Sequence, residues 1–289
     1  MTRETLRQIV RVSGAVTAAL AVAAAMAPAA ADDASPWMGG QRSSVRLIAG
    51  AANAPAPEAA KMLRAGIEIR LEPGWKTYWR YPGDSGVPPR FDFSASENVQ
   101  TVSVLWPAPH GFVDAGGRSI GYAGGVLLPL HVVPRDPARP VVLRLGLDYA
   151  ICGKLCIPSE VRAELTLTGA AGAFEAELAA SEARVPKPVA VGEGPGLSIT
   201  AVKVESAANR PRVVVEVAGA GADAELFAEG PTPDWALPVP VAVGAAAPGA
   251  RRFAFELDGI PPGASVSGTS LRLTAVSGEH AIEVTTTVE

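Results

Sequence analysis

Apolar residues occupy every second position in several stretches of the chain, and this alternation predicts β-strands. It is clearest in the sequences VVLRLGL at residues 141–147 and VRAELTL at residues 161–167, where polar residues separate the apolar ones. A strand with one buried face requires this pattern, because successive side chains point to opposite faces of a sheet. In the first part of the chain the predicted strands are residues 43–51, 62–71, 75–79, 90–94, 99–105, 125–133, 141–151 and 156–167.

The pattern changes at residues 171–185. This segment is rich in Ala and Glu, with Phe174 and Leu178 near helical spacing, and Pro186 follows it. A helical period that stops at a proline predicts a short helix. Strands are predicted again after it, at residues 197–206, 212–217, 224–228, 239–243, 252–257, 270–275 and 281–288.

We therefore predict an all-β protein of two immunoglobulin-like β-sandwich domains joined by a short helix. About seven short strands in roughly 100 residues, as in the C-terminal set, is the size of an immunoglobulin-like sandwich. The expected boundaries are residues 40–170 for the first sandwich, residues 171–190 for the connector helix and linker, and residues 191–289 for the second sandwich.

The first 31 residues are typical of a secretory signal peptide. Arg3, Arg7 and Arg11 precede an uncharged, apolar run that ends in small residues before Asp32. An uncleaved membrane anchor is the alternative interpretation. Outside this segment no apolar run approaches ~18 residues, so we expect a mature chain without a membrane span. The signal peptide itself predicts export, and we expect the mature chain in the bacterial periplasm.

The overall composition excludes two classes of protein. Hydrophobic residues make up 48% of the 289 residues and charged residues 19%, which is typical of a folded chain and not of a disordered one. The formal net charge is −4, so the sequence does not carry the basic excess of a nucleic-acid-binding protein.

The chemistry of the sequence is concentrated in its two cysteines, Cys152 and Cys156, which flank a three-residue turn between predicted strands. Such cysteines can lie opposite each other, within the ~4.4–6.8 Å between Cα atoms that a disulfide needs. Disulfides persist in the periplasm, so the pair is expected to be bonded or redox-active. A loop of about five residues yields roughly 2 kcal/mol of stabilisation, which favours a redox role over a structural one. Lys154, between the two thiols, would favour a thiolate.

Two other interpretations of the cysteine pair stay open. The pair can be a structural disulfide in a β-sandwich binding module without redox activity. Two thiolates can also hold Cu(I), which prefers soft ligands. Zinc needs two further ligands, and the histidines, His110, His131 and His280, show no tight spacing to the cysteines. We predict no bound cofactor or metal.

Several motifs around the cysteines are recognisable together. They are YAICGKLCIP at residues 149–158, PGWKTYWRYPGDSGVPPRF at residues 73–91, LWPAP at residues 105–109 and the run from residue 121 to 129. These motifs resemble the N-terminal periplasmic domain of the DsbD and ScsB family of thiol:disulfide interchange proteins. The resemblance covers residues 40–190, and residues 191–289 are similar to the second sandwich of longer family members.

The resemblance implies an immunoglobulin-like domain whose Cys152 and Cys156 pass electrons to periplasmic thiol proteins, an activity of the protein-disulfide reductase type. Family members shield the pair with a cap loop that carries an aromatic residue. The matching segment here is HGFVDAGG at residues 110–117, in which Phe112 is the aromatic. Trp75 and Tyr78 are expected beside the pair, with ordinary core packing as the alternative.

The sequence departs from the family in two respects. Full-length members also contain a membrane electron conduit and a thioredoxin domain, and this sequence shows neither, so we expect a separate membrane or thioredoxin-like electron donor. The CxxxC spacing is narrower than in the best-known members. Which cysteine is attacked first depends on exposure and stays open at this point.

Overall fold

The alternating stretches form two β-sandwiches with separate hydrophobic cores. The computed structural model describes residues 32–53, 62–114, 117–207, 210–244 and 248–288. The predicted signal peptide lies outside the described residues. The prediction of a nearly all-β protein with two immunoglobulin-like sandwiches and one short helix between them is confirmed.

The first sandwich consists of a five-stranded and a six-stranded antiparallel sheet. The five-stranded sheet has the order β1-β2-β3-β9-β6, and the other has the order β11-β10-β4-β8-β7 with β5 paired to β10. The strands are β1 (Met38–Gly39), β2 (Ser43–Asn53), β3 (Met62–Leu71), β4 (Lys76–Gly83), β5 (Arg90–Asp92), β6 (Val99–Val104), β7 (His110–Asp114), β8 (Gly117–Ala123), β9 (Gly125–Pro134), β10 (Val141–Cys152) and β11 (Cys156–Leu167).

The alternation in β10 separates a core face from an outer face. Leu143 and Leu147 are fully buried between the two sheets, whereas Arg144 lies outside and pairs with Glu164 of β11. The β10–β11 hairpin is paired without interruption up to its closing turn. Its two strands therefore reach the turn in a fixed register.

The helix α1 (Glu175–Ala183) is shorter than the predicted segment and packs on the five-stranded sheet. Its Leu178 is fully buried against Gly50 and Gly66, where an added Cβ would come within 2.5 Å and 3.0 Å of that side chain. Arg64 of β3 forms ion pairs with Glu175 and Glu182 at 2.7 and 2.8 Å. No helix in the part of the chain that the structure describes is long and apolar enough to span a membrane.

The second sandwich has two four-stranded sheets, with the orders β12-β19-β18-β15 and β13-β14-β17-β16. Val213, Val215 and Val217 alternate along one strand and are all buried in its core. The strands are β12 (Lys187–Pro188), β13 (Ser198–Ala207), β14 (Arg210–Ala218), β15 (Glu225–Glu229), β16 (Val241–Ala242), β17 (Ala250–Glu256), β18 (Ser270–Ser277) and β19 (His280–Thr287).

Strand β4 connects the two sandwiches through side chains that follow one another in sequence. The Trp79 ring is fully buried and packs at 5.8 Å, centroid to centroid, on Phe227 of β15. Arg80 donates to Glu229 of β15 at 2.7 Å and also to Glu283 of β19. The strand that lies beside the cysteine hairpin is thus also anchored on the second sandwich.

Candidate redox site

The β10–β11 hairpin places the two cysteines opposite each other. Cys152 ends β10, Cys156 begins β11, and they form the last pair of the register. Their Cα atoms are 4.1 Å apart, just under the lower end of the range expected from the sequence, and the two residues are joined by a disulfide. In the turn, the Gly153 N–H donates to the Leu155 carbonyl at 3.0 Å.

The two sulfur atoms have different surroundings. Cys152 is 2% exposed and forms a small buried cluster with Tyr78 and Ala150. Cys156 is exposed, and its neighbour Leu155 has 72% of its own surface exposed. Cys156 is therefore the more accessible residue of the pair.

The Tyr78 hydroxyl lies against the disulfide, 2.7 Å from Cys152 Sγ and 3.5 Å from Cys156 Sγ. Strand β4 pairs with the end of β10, so that Lys76 lies opposite Cys152 and Thr77 opposite Ile151. Because side chains alternate, Thr77 points to the other face and donates to the Ala150 carbonyl at 3.0 Å. Tyr78, two residues after Lys76, then lies on the same face as the cysteines.

The loop that follows β4 packs on the Tyr78 ring. A Cβ at Gly86 would lie 2.7 Å from Tyr78 Cδ1 and 2.3 Å from Pro82 Cβ, so only glycine fits there. The GDSG sequence at residues 83–86 thus packs, through Gly86, on the tyrosine that contacts the disulfide.

Trp75 supports the turn between the cysteines. A Cβ on Gly153 would lie 3.2 Å from Trp75 Cε2, which is tighter than an ordinary van der Waals contact. The missing side chain of Gly153 lets the turn lie close to the indole ring. The Arg42 guanidinium is 4.9 Å from the centroid of this ring, in cation–π geometry.

Phe112 lies on the outer strand β7, opposite Ser119 of β8. The Lys76 ammonium is 5.1 Å from the centroid of the Phe112 ring and donates to the Ser119 hydroxyl at 2.8 Å. Phe112 therefore lies against the side chain of Lys76, the residue opposite Cys152 in the register. The tip of the predicted cap segment, residues 115–116, lies outside the described residues.

The structure brings four of the predicted site residues together: Cys152, Cys156, Tyr78 and Trp75. It places Phe112 against Lys76, and Lys154 exposed in the turn between the cysteines. Lys76 and Ser119 belong to the same surroundings and were missed from the sequence. Lys76 had one usable signal, since it alternates with Tyr78 in the WKTYWR motif. In the described residues, no group of three or more His, Cys, Asp or Glu side chains is placed to hold a metal ion.

Comparison with known proteins agrees, for the first sandwich, with the family resemblance seen in the sequence motifs. Residues 45–168 match the family model described as the N-terminal part of the thiol:disulfide interchange protein DsbD. The structure is similar to the crystal structure of the N-terminal periplasmic domain of ScsB from Proteus mirabilis, with a TM-score of 0.66 and 20% identity over 89% of this chain and 98% of that chain. No curated protein matches the chain. At this identity the structural likeness concerns the fold, and it extends over both sandwiches.

Proposed function

We propose that this protein exchanges disulfides with thiol proteins of the periplasm through Cys152 and Cys156, since residues 45–168 match the family model of the DsbD N-terminal domain. The observation that carries the proposal is the asymmetry of the pair: Cys156 is an exposed residue, whereas Cys152 is buried and its sulfur contacts a tyrosine hydroxyl. The signal-peptide pattern of residues 1–31 and the periplasmic origin of the similar ScsB domain support the location.

In this proposal Cys156, the exposed residue of the pair, is the one that exchanges with partners. In the reducing direction, the Cys156 thiolate attacks a partner disulfide, whose other sulfur leaves as a thiolate. The Cys152 thiolate then attacks Cys156 Sγ in the mixed disulfide, so the partner leaves as a dithiol and the Cys152–Cys156 disulfide forms. Two electrons have passed from the pair to the partner.

The pair is reduced again by a separate dithiol protein, membrane-bound or thioredoxin-like. A donor thiolate attacks Cys156 Sγ, the Cys152–Cys156 bond breaks, and Cys152 leaves as a thiolate. The second donor thiolate attacks the donor sulfur of the mixed disulfide and frees Cys156. The donor is now oxidised and the pair reduced, so atoms and electrons balance over the cycle.

Tyr78 makes Cys152 a suitable leaving group. A thiolate at this buried position has lost most of its hydration, which is costly unless a donor replaces the water. The Tyr78 O–H is already 2.7 Å from Cys152 Sγ and can donate to it when negative charge develops. Hydrogen bonds to charged groups are stronger than those to neutral ones, so this contact strengthens as the disulfide opens.

The position of the disulfide argues against a purely structural role. The hairpin is paired residue by residue from Val141 and Leu167 up to the cysteines, and its inner face is buried in the core of the sandwich. A bond at the tip of this hairpin closes a loop of about five residues and adds roughly 2 kcal/mol in the chain-entropy model.

Trapping of mixed disulfides tests the proposal. The Cys152→Ala variant keeps the exposed Cys156 but lacks the second thiolate that would resolve a mixed disulfide. We therefore expect it to accumulate mixed disulfides with periplasmic thiol proteins. The Cys156→Ala variant is the matched control and should trap few or none, because Cys152 is buried. Covalent complexes are read on non-reducing gels and identified by mass spectrometry. Equal trapping by the two variants, or none by either, would contradict the assignment of Cys156.

A further inference from the structure

Strand β4 is paired regularly along its first half and irregularly along its second. Lys76 and Thr77 pair with β10 and also with β8, and Tyr78 pairs with β8. From Tyr78 to Gly83 the register with β8 is interrupted. Tyr78, whose hydroxyl lies 2.7 Å from Cys152 Sγ, is thus the last residue before the interruption. Because the regular ladder fixes the strand before Tyr78, the position of the hydroxyl also depends on what holds the residues that follow.

The three residues that follow Tyr78 all contact the second sandwich. The first is Trp79, which is fully buried and packs its ring on Phe227. The third is Tyr81, whose hydroxyl donates to the Leu237 carbonyl at 2.7 Å. The residue between them makes an ionic contact. The irregular half of β4 is therefore held by side chains of the second sandwich.

Arg80 makes the ionic contact, and it is bidentate. Its Nε and Nη2 atoms donate to the two carboxylate oxygens of Glu229 at 2.9 and 2.7 Å, and Nη2 also donates to Glu283. The two glutamates lie on β15 and β19, so one side chain joins β4 to two strands of the second sandwich. None of the three side chains has more than 20% of its surface exposed. A bidentate pair that is shielded from water fixes its geometry more firmly than an exposed pair.

We propose that Arg80 is a positioning residue of the redox site. Through its two glutamates it fixes the second half of β4 on the second sandwich, and it thereby holds the Tyr78 hydroxyl at the sulfur of Cys152. The inference rests on the proposed function, because the hydroxyl acts only when the disulfide opens and Cys152 leaves as a thiolate. It assigns to the second sandwich, which contains no cysteine, a part in the reactivity of the first.

The rate of reduction by dithiothreitol tests this proposal in the full mature chain. Arg80→Gln removes the cation that both glutamates hold. We expect reduction to be about three- to tenfold slower, because the Tyr78 hydroxyl then contacts the leaving sulfur of Cys152 in only a fraction of the molecules. Rates are followed by alkylation and mass spectrometry. Unchanged or faster reduction of the folded variant would overturn the proposal.

The same substitution in a Tyr78→Phe background separates positioning from a merely structural role. Without the hydroxyl, Arg80 has no group left to position, so Arg80→Gln should then change the rate by less than about twofold. Two residues that act through one contact are non-additive in this way. A slowing of equal size in both backgrounds would show that Arg80 acts independently of Tyr78, and the proposal would be wrong.

A second variant keeps the test decisive if Arg80→Gln does not fold. Glu229→Ala removes the bidentate acceptor but leaves Arg80 paired with Glu283, so no buried charge is left alone. We expect this variant to fold, as measured by thermal unfolding, and to be reduced about two- to fivefold more slowly. Reduction of the folded Glu229→Ala protein at the original rate would contradict the proposal.

The first sandwich offers a matched control for both substitutions. Arg64 has the same arrangement, with a bidentate contact to Glu182 and a second ion pair to Glu175, but it joins β3 to the helix α1. Arg64→Gln and Glu182→Ala should lower the thermal stability and leave the reduction rate within about twofold. If these controls slow reduction as much as the β4 variants do, any loss of an ion pair has this effect and the assignment of Arg80 fails.

The outcomes distinguish this proposal from the proposed function. Trapping by Cys152→Ala together with an unchanged rate in Arg80→Gln would leave exchange intact and remove the role of Arg80. Slower reduction in Arg80→Gln, dependent on Tyr78 but without any trapped partner, would leave the positioning contact intact and remove the exchange function.

Discussion

Two long antiparallel hairpins of this protein end in different ways. The β10–β11 hairpin ends at the disulfide pair, with three residues in the turn, whereas the β18–β19 hairpin ends at Ser277 and His280, with two residues in the turn. Gly278 is the first of these two, at a φ of 57°, the placement typical of a type II′ turn. The second hairpin closes without a covalent bond.

The comparison shows which features a hairpin needs in order to close and which features are additional at the disulfide. In the second hairpin one glycine in a left-handed conformation is sufficient to close a paired ladder. The first hairpin has a ladder of at least the same length and gains little from a bond at its tip. The disulfide is also surrounded by Tyr78, Trp75 and Lys76, which hairpin closure does not need. These features support the proposal that the pair exchanges disulfides.

The largest effect is expected from the hydroxyl that contacts the disulfide. Tyr78→Phe removes the donor to Cys152 Sγ and leaves the ring packed on Gly86. A hydrogen bond to a charged group contributes about 1.5–3 kcal/mol, so exchange should slow by roughly 10- to 100-fold. The exchange rate with dithiothreitol measures the effect, and thermal unfolding should change little. An unchanged rate would remove Tyr78 from the mechanism.

A smaller effect is expected when the disulfide is deleted. The double variant Cys152→Ala with Cys156→Ala should fold and lose about 2 kcal/mol or less of its free energy of unfolding, because the closed loop is short. Urea titration followed by circular dichroism measures the difference from the oxidised protein. A loss of 4 kcal/mol or more, or a failure to fold, would show that the first hairpin depends on its bond.

The corresponding change in the second hairpin is Gly278→Ala. The residue must adopt a positive φ, and a Cβ there meets nothing within 4 Å, so the cost is purely one of backbone conformation. We expect a loss of about 1–2 kcal/mol. Gly40→Ala is the matched control, since its Cβ also meets open space but its φ is not in the left-handed region. Equal stability of the two variants would contradict the account of the second turn.

The smallest effect is expected at Lys154. This residue is exposed in the turn between the cysteines, so water and salt screen its charge. Lys154→Gln should slow exchange with an anionic thiol such as glutathione by less than about threefold at low ionic strength. The difference should vanish in concentrated salt. A large effect that persists in salt would mean that Lys154 acts through a direct contact.

The sequence predicted the hairpin that carries the cysteines almost to the residue, but it missed two strands of the same sheet. The predicted strands at residues 141–151 and 156–167 agree with Val141–Cys152 and Cys156–Leu167 to within one residue, because every second side chain is buried or half-buried along most of their length. Strands β7 and β8 were missed, since the sequence GFVDAGGRSIGYAGG is too rich in glycine to alternate. A Cβ at Gly121 would lie 1.9 Å from the Thr77 carbonyl oxygen, so the glycine is required by a partner strand distant in sequence.

The site was predictable in its residues and not in its geometry. Tyr78 and Trp75 were identified near the pair from their motif, but the contact of the Tyr78 hydroxyl with Cys152 Sγ depends on the register between β4 and β10. The burial of Cys152 and the exposure of Cys156 depend on the same packing. The contact of Arg80 with Glu229 and Glu283 joins two sandwiches, and no local pattern in either segment indicates it.

The central claim is that Cys152–Cys156 is a redox pair, and its reduction potential tests this most directly. The purified mature protein is equilibrated in glutathione or dithiothreitol buffers of graded potential, and the reduced fraction is read by alkylation and mass spectrometry. We expect a value above about −270 mV, in the range of proteins that exchange disulfides. A value below about −300 mV would mark a structural disulfide and contradict the proposed function.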